Sequence, residues 1–220
     1  MFKVDLHTHS YASPDGGITA KQYEHILSSG VLDLVAITDH GRIDAAVALH
    51  EILGDKVIIG EEIMTSHGEI VGLYLKKPIP SGLSPLDTVL QIHEQGGLVL
   101  IPHPFETVRK GLDQSQMSTI ADHIDIIETC NGRALNQKHG SKAVVWSRLH
   151  NTIGVANSDA HGIGGLGKTY TSINSPADRD GLLKALSTGT LITSRPSVKS
   201  LLYPKYHRLR KKITRSGNGQ

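Results

Sequence analysis

The sequence predicts an α/β fold in one large domain, and three observations lead to that prediction. The chain has 220 residues, enough to bury a single sizeable core. Short apolar runs that suit buried strands alternate with amphipathic segments that suit helices. The runs are continuously apolar, as in parallel strands covered by helices. Roughly seven strand–helix units suit a barrel, although the pattern alone is also compatible with an open, doubly wound sheet.

The predicted elements follow one another with few gaps. The predicted strands are FKVDL, LDLVAIT, KVIIGEEI, EIVGLYL, LVLIPH, IDIIET, TIGVANS and TLITS. The predicted helices are GITAKQYEHILSSG, DAAVALHEILG, LSPLDTVLQIHEQGG, QKHGSKAVVWSRLH and SPADRDGLLKALSTG. Capping chemistry supports two of them, since Thr19 can cap the first helix before Gly30 ends it. In the third helix, Ser84 is the expected cap and Pro85 occupies the first turn.

The composition indicates a globular protein of a reducing compartment. Apolar residues make up 38% of the chain and charged residues 20%. The apolar runs are too short to span a bilayer, and the first residues show no signal-peptide pattern. Cys130 is the only cysteine, so no internal disulfide can form. We therefore expect a cytoplasmic protein without a membrane segment, in which Cys130 is a buried small residue rather than a nucleophile.

The positive charge is concentrated near the end of the sequence. The formal net charge is +2, and residues 181–220 contain nine Lys or Arg and no acidic residue. We predict a folded domain over residues 1–199 and a basic, solvated tail over 200–220. Such a tail could touch nucleic acid or acidic lipid headgroups, but neither is favoured. Activity on small substrates should then survive removal of the tail.

The most informative polar residues come at the carboxyl ends of predicted strands. In a parallel barrel these ends share one face, which is where active sites are built. The residues at these ends are His7, His9, Asp39, His40, Glu61, Glu62, His103, Glu128, Asp159 and His161. So many histidines and carboxylates are rarely gathered on one face by chance.

The residue types indicate a metal centre. Residues i and i+2 of an extended segment project to the same side, so His7 and His9 can reach one point. The full set of histidines and carboxylates exceeds what one tetrahedral ion needs, which predicts two or three divalent ions. Mixed nitrogen and oxygen ligands suit zinc, manganese or iron rather than calcium.

Five short motifs in this order resemble one known family. DLHTHS, ITDH, GEEI, PHP and SDAH are similar to the motifs of the polymerase and histidinol phosphatase (PHP) domain family, from residue 4 to about residue 195. The resemblance implies a distorted (βα)7 barrel of the PHP type. It also implies a two- or three-metal centre that hydrolyses phosphoesters.

The resemblance also implies roles for individual residues. The ligands of a first metal would be His7, His9, Glu62 and Asp159. A second metal, bridged by Glu62, would be held by His103. The ligands of a third would be Asp15, His40 and His161. Asp39 is then expected to orient an imidazole. Where many members have a histidine three residues before the glycine of the next strand, this chain has Glu69. Either Glu69 or His67 could complete the second site.

A phosphate-loop pattern and two arginines complete the set of candidates. Residues 162–169 read GIGGLGKT, but no helix is predicted after them, so we expect a glycine-rich rim in which Lys168 could face a substrate. Arg109 and Arg133 follow strand ends and are candidates to bind phosphate oxygens.

The predicted function is metal-dependent hydrolysis of a small phosphorylated substrate. The alternative is a catalytically silent, metal-bound module with a structural or regulatory role.

Overall fold

The computed structural model describes residues 1–134, 138–194 and 197–217. Its nine strands in this described part of the chain are β1 (Phe2–Thr8), β2 (Leu34–Ile37), β3 (Val57–Met64), β4 (Glu69–Leu73), β5 (Leu98–Ile101), β6 (Ile126–Asn131), β7 (Ile153–Asn157), β8 (Tyr170–Ile173) and β9 (Thr190–Ile192). Its seven α-helices there are α1 (Ala20–Ser28), α2 (Asp44–Leu53), α3 (Pro85–Glu94), α4 (Gln114–Thr119), α5 (Lys138–Leu149), α6 (Arg179–Ser187) and α7 (Val198–Gly217). Among the described residues, no helix is long and apolar enough to cross a membrane.

The strands form one mixed sheet in the order β7-β6-β5-β4-β3-β2-β1-β8-β9. Pairs β1–β2, β2–β3, β5–β6 and β6–β7 are parallel, as the sequence predicts. The expectation of a wholly parallel sheet is wrong for β4, β8 and β9, which run antiparallel to their neighbours. The physical reason is connection length, because β3 and β4 are joined by a short turn that permits only an antiparallel hairpin.

The sheet curls into a nearly closed barrel in which β7 returns to β1. The amide of Leu6 donates to Oδ1 of Asn157 at 2.9 Å, and the amide of Ser158 donates to Oδ1 of Asp5 at 3.0 Å. The amide of His9 donates to the carbonyl of Ala160 at 2.8 Å. The α/β barrel class predicted from the sequence is confirmed, with β8 and α4 as elements that the sequence pattern does not reveal.

The core lies on both faces of the sheet. One buried cluster takes side chains from β1 to β8, including Leu6, Val71 and Leu100, and fills the barrel interior. Two further clusters lie outside the barrel, one beneath α1 and α2 and one beneath α3, α4 and α5. Thr19 and Ser84 cap α1 and α3 as predicted, and each side chain accepts a backbone N–H. The apolar interior supports the strands whose ends carry the polar residues described next.

The expected solvated tail is replaced by a helix. α7 runs across the predicted boundary at residue 199, and its residues Ser200, Pro204 and His207 are buried against the barrel. A Cβ at Gly17 would overlap the ring of His207, so glycine is required where the helix crosses this loop. The basic composition predicts solvated side chains, whereas Arg208 and Lys211 find oxygen acceptors on the loop at residues 11–16.

Candidate metal centre

Strand periodicity aims two glutamates at the mouth of the barrel. Ile58 of β3 lies in the interior cluster, and Glu62 shares its face because strand side chains alternate with a period of two. Glu61 therefore faces outward, where its carboxylate accepts the amide of Ile79 at 2.8 Å. In β4, Glu69 shares the interior face of Val71. Because β4 is antiparallel, its first residue lies at the same rim as the last residues of β3.

Two irregularities in strand pairing turn further side chains toward the same rim. The register of β1 shifts against β2 between Asp5 and Thr8, and that of β6 shifts against β7 between Glu128 and Cys130. An extra residue in one strand re-aims the side chains around it. Cys130 itself is only half-buried, whereas the sequence predicts full burial. This partial burial raises the pKa of its thiol.

The residues predicted for the first metal meet at one point. Nε2 of His7 lies 3.1 Å from Nε2 of His9. Oε2 of Glu62 lies 3.4 Å from Nε2 of His7 and 3.2 Å from Nε2 of His9. Oδ1 of Asp159 lies 3.8 and 3.6 Å from the same two nitrogens. All four side chains are buried.

Glu62 connects this point to a second group of donors. Its Oε1 lies 3.0 Å from Nε2 of His103, and Oε2 of Glu69 lies 3.7 Å from the same nitrogen. Glu69 also groups with His40 and Glu62. His67 is exposed and bonded to its neighbour Ser66, so of the two alternatives the geometry brings Glu69, and not His67, into the cluster.

The third predicted set also comes together. Asp15 lies 3.6 Å from Nε2 of His40 and 3.5 Å from Nε2 of His161, measured from its two carboxylate oxygens. The three side chains group with His9, whose ring stacks on that of His40 with centroids 4.8 Å apart. His9 therefore lies between the first and third sets.

The electrostatics of the cluster are those of crowded, opposing charges. Burial opposes ionisation of Glu62, but the imidazoles of His7 and His40 outweigh it and hold its pKa well below the usual range. Burial and the charge of Glu62 raise the pKa of Glu69 to about 9. Burial, with His9 and Arg133 nearby, lowers the pKa of His161 to about 3, which leaves its ring neutral with a lone pair available.

A buried carboxylate behind the cluster fixes the orientation of several groups. Oε1 of Glu128 lies 2.8 Å from Nδ1 of His7 and accepts Nδ2 of Asn157 at 3.0 Å. Oε2 accepts the amide of His103 and Nδ2 of Asn131, both at 2.8 Å. A carboxylate on Nδ1 of a histidine favours the tautomer whose Nε2 carries the lone pair. The sequence placed Glu128 at a strand end but did not assign it this role.

Asp39 is buried, but it contacts a different group from the one expected. Its carboxylate accepts the amide of Ser10 at 2.6 Å and the hydroxyl of Ser10 at 2.5 Å. Within the described part of the chain, no imidazole donates a hydrogen bond to Asp39. Asp39 therefore holds the backbone directly after His9, and it acts on the cluster through that segment.

The two candidate arginines differ in how much of their hydrogen-bonding capacity is used. Nη1 of Arg109 donates to Asp159 at 2.8 Å and to Asn131 at 2.5 Å, while Nε donates to Glu106 at 2.8 Å. Nη1 of Arg133 lies 3.3 Å from both carboxylate oxygens of Asp159, and its Nε is buried without a hydrogen-bond partner in the described part of the chain. Arg133 therefore keeps donors that Arg109 has already used.

α7 closes one side of the pocket that opens onto the cluster. The pocket has a volume of about 630 Å3, and its lining includes Lys205 and Arg208 as well as the metal-centre residues. Nη2 of Arg208 donates to Oδ2 of Asp15 at 2.7 Å. Nζ of Lys211 donates to the carbonyl of Gly16 at 2.8 Å, and to the carbonyls of two other residues in the same loop. The sequence does not predict this wall of the pocket, because these residues have the composition of a solvated basic tail.

The glycine-rich rim forms turns as expected, but its lysine does not line the pocket as expected. Residues 162–169 form turns between β7 and β8, and no helix follows them. A phosphate loop needs that helix, because its N-terminal amides bind the anion. Lys168 is exposed and is not among the residues that line the pocket.

The chemistry of the donor set fits divalent metal ions. Within each of four overlapping groups, the imidazole and carboxylate atoms lie within 4.8 Å of one another. Nδ1 of His9 and Nδ1 of His103 are buried without a hydrogen-bond partner among the described residues. So many lone pairs gathered in a buried space are stabilised by cations, and mixed imidazole and carboxylate ligands suit transition metals.

Comparisons with known proteins agree with the motifs. A family model described as PHP-associated matches residues 139–191. An uncharacterized protein of Methanocaldococcus jannaschii is 36% identical over 137 residues, which cover 56% of this chain and 80% of that protein.

Solved structures show the same fold. A two-domain protein from Bacteroides vulgatus that contains a predicted PHP-like metal-dependent phosphoesterase is similar with a TM-score of 0.70 and 19% identity, covering 94% of this chain and 69% of that chain. The lesion-specific endonuclease of Pyrococcus furiosus is similar with a TM-score of 0.64 and 16% identity, covering 86% and 57%. The chain has the five motifs in order, a matching family model, and a 36% identical relative of which the match covers 80%. The chain therefore belongs to the PHP domain family.

Proposed function

We propose that this protein hydrolyses a phosphoester with the help of two or three divalent metal ions. The observation that carries the proposal is the convergence of buried imidazoles and carboxylates at the floor of a pocket whose wall is cationic. The structural neighbours support it, because one contains a predicted metal-dependent phosphoesterase and another is an endonuclease.

The proposed ligands combine the four overlapping groups of donor atoms into three sites. They are His7, His9, Glu62 and Asp159 for a first ion, Glu62, His103 and Glu69 for a second, and Asp15, His40 and His161 for a third. Zinc, manganese or iron, bound there, would lower the pKa of a coordinated water and neutralise charge on phosphoryl oxygens. The remaining work falls to side chains around the ligands.

Those side chains bind, orient and support. Arg133 has unused donors beside Asp159 and is the proposed phosphate-binding group. Arg109 has its N–H groups engaged by Glu106, Asn131 and Asp159, so its proposed role is to orient Asp159. Asp39 is proposed to hold the segment after His9 in place through Ser10.

The pocket admits a small phosphorylated molecule. A volume of about 630 Å3 falls within the range of small-ligand sites. The endonuclease among the neighbours makes a phosphodiester one of the classes to test. Phosphomonoesters form the other class, since nothing in the lining selects between them.

The test is metal analysis of the purified protein, followed by hydrolysis assays on phosphomonoesters and phosphodiesters with added manganese, zinc or iron. The double variant His7→Ala with His9→Ala should lose bound metal and hydrolysis together. The matched control is His93→Ala with His123→Ala, a histidine pair on the outside of the barrel whose ring centroids lie 5.9 Å apart.

Each outcome has a clear meaning. Loss of metal and activity in the first double variant but not in the control supports the proposal. Full metal content and full rate in the first variant would mean that the opening histidines bind no metal. Stoichiometric metal without hydrolysis of any ester would favour the silent module instead.

A further inference from the structure

α7 presents an apolar stripe to solvent on the side facing away from the barrel. Helix positions spaced by three or four residues share one face. The stripe consists of Val198, Leu202, Tyr206, Leu209 and Ile213, which are between 53% and 75% exposed. From Val198 to Ile213 the stripe extends for about 22 Å along the helix. A continuous exposed apolar row of this kind marks an interaction surface.

Cations flank the stripe on both sides. At 100° per residue, Lys199 and Arg210 fall on one flank, and Lys205, at the rim of the pocket, falls on the other. Residues 181–220 contain no acidic residue, so nothing on the helix would repel an anionic surface. An apolar row bordered by Lys and Arg is the pattern of helices that lie in the interface of a bilayer.

We propose that α7 docks the protein onto an anionic lipid surface, with the apolar stripe in the headgroup region and the flanking cations on the lipid phosphates and carboxylates. The proposal is independent of the function of the metal centre. It concerns the outward face of the helix, while Arg208 and Lys211 hold the inward face to the loop at residues 11–16.

Three features favour a lipid surface over other occupants. A protein groove would have to supply carboxylates for the flanking cations as well as an apolar floor for the stripe, whereas an anionic lipid surface supplies both everywhere. A second copy would bring two purely basic helices together, and like charges would repel. Nucleic acid would leave the apolar stripe against phosphates. A planar surface needs only the outward face.

The experiment measures co-sedimentation of the full chain with vesicles. One set is phosphatidylcholine alone, and in the other about a third of the lipid is phosphatidylserine. The test variant is Leu202→Asp with Leu209→Asp, two exposed positions on the stripe. The matched control is Val145→Asp with Leu149→Asp, two exposed apolar residues one turn apart on α5. Circular dichroism and metal content check that both variants fold.

We expect the wild-type protein to bind the anionic vesicles more tightly than the neutral ones, with binding weakened by salt. The stripe variant should bind at least about tenfold more weakly, since it loses apolar burial and adds two repelling charges. The α5 control should bind as the wild type does. Equal binding of the stripe variant and the wild type would overturn the proposal. An absence of wild-type binding to the vesicles would also overturn the proposal, even if α7 were then found to mediate dimerisation or to bind duplex DNA.

Discussion

Replacing Glu128 by glutamine tests whether the buried carboxylate sets the metal-binding state of His7. Its two oxygens accept four hydrogen bonds, from His7, Asn157, His103 and Asn131. Glutamine keeps the shape but replaces one oxygen by an amide that donates. Two of the four donors must then face another donor.

The hydrogen-bond partners at position 128 decide which orientation of the glutamine amide is more favourable. If the amide nitrogen replaces Oε2, it faces the backbone amide of His103, which cannot become an acceptor. If it replaces Oε1, His7 can accept at Nδ1 by moving its proton to Nε2, and only the bond to Asn157 is lost. Asn157 cannot turn over freely, because its Oδ1 already accepts the amide of Leu6 at 2.9 Å.

The expected cost follows from that orientation. Loss of one buried hydrogen bond to a charged group destabilises the protein by about 1.5–3 kcal/mol. The proton on Nε2 of His7 blocks the atom that faces His9 and Glu62. Loss of such an orienting partner weakens metal binding by about 10- to 100-fold.

Urea unfolding and competition with a chromogenic chelator measure the two effects separately. The control is Glu61→Gln on β3, since this glutamate is equally buried but faces away from the cluster. It should leave metal affinity unchanged. If Glu128→Gln folds and binds metal with wild-type affinity, the carboxylate does not set the tautomer of His7, and the reasoning fails.

Three other changes have defined outcomes. Arg133→Ala should lower kcat/KM by about 100-fold with metal content unchanged, and Arg133→Lys should restore only part of the lost kcat/KM. An unchanged kcat/KM of Arg133→Ala on the true substrate would return this residue to a structural role. Leu100→Ala in the barrel interior should destabilise the fold by about 2–5 kcal/mol in urea unfolding, and a smaller cost would mean that the interior collapses around the gap. Arg208→Ala should lower the free energy of unfolding by about 1 kcal/mol, because its ion pair with Asp15 is half in solvent. The control Arg210→Ala, on the outward face, should cause no change that thermal unfolding can measure. Equal losses in the two variants would contradict the assigned contact.

Much of the cluster follows from strand chemistry that can be read in the sequence. His7 and His9 are two residues apart in an extended segment, and their Nε2 atoms do meet. His103, Asp159 and His161 follow parallel strands, whose carboxyl ends share one rim. These placements need only the period of a strand and the direction of the chain.

Other parts of the site depend on features that periodicity does not contain. Glu69 begins a strand, and it reaches the rim only because β4 runs antiparallel. Glu128 and Asn131 both point at the site because the pairing of β6 slips by one residue between them. Lys211 looks solvated in sequence, since its acceptors are backbone carbonyls of a loop nearly 200 residues away.

The attachment of α7 to the loop at residues 11–16 orders events during synthesis of the chain. Arg208 and Asp15 are separated by 193 residues, and Lys211 and Tyr11 by 200. At about 5–20 residues per second, roughly 10–40 s pass on the ribosome between translation of the loop and of its anchor. The loop that carries Asp15 is without this anchor throughout that interval. The loop that positions Asp15 is therefore anchored only after all the barrel strands have been made.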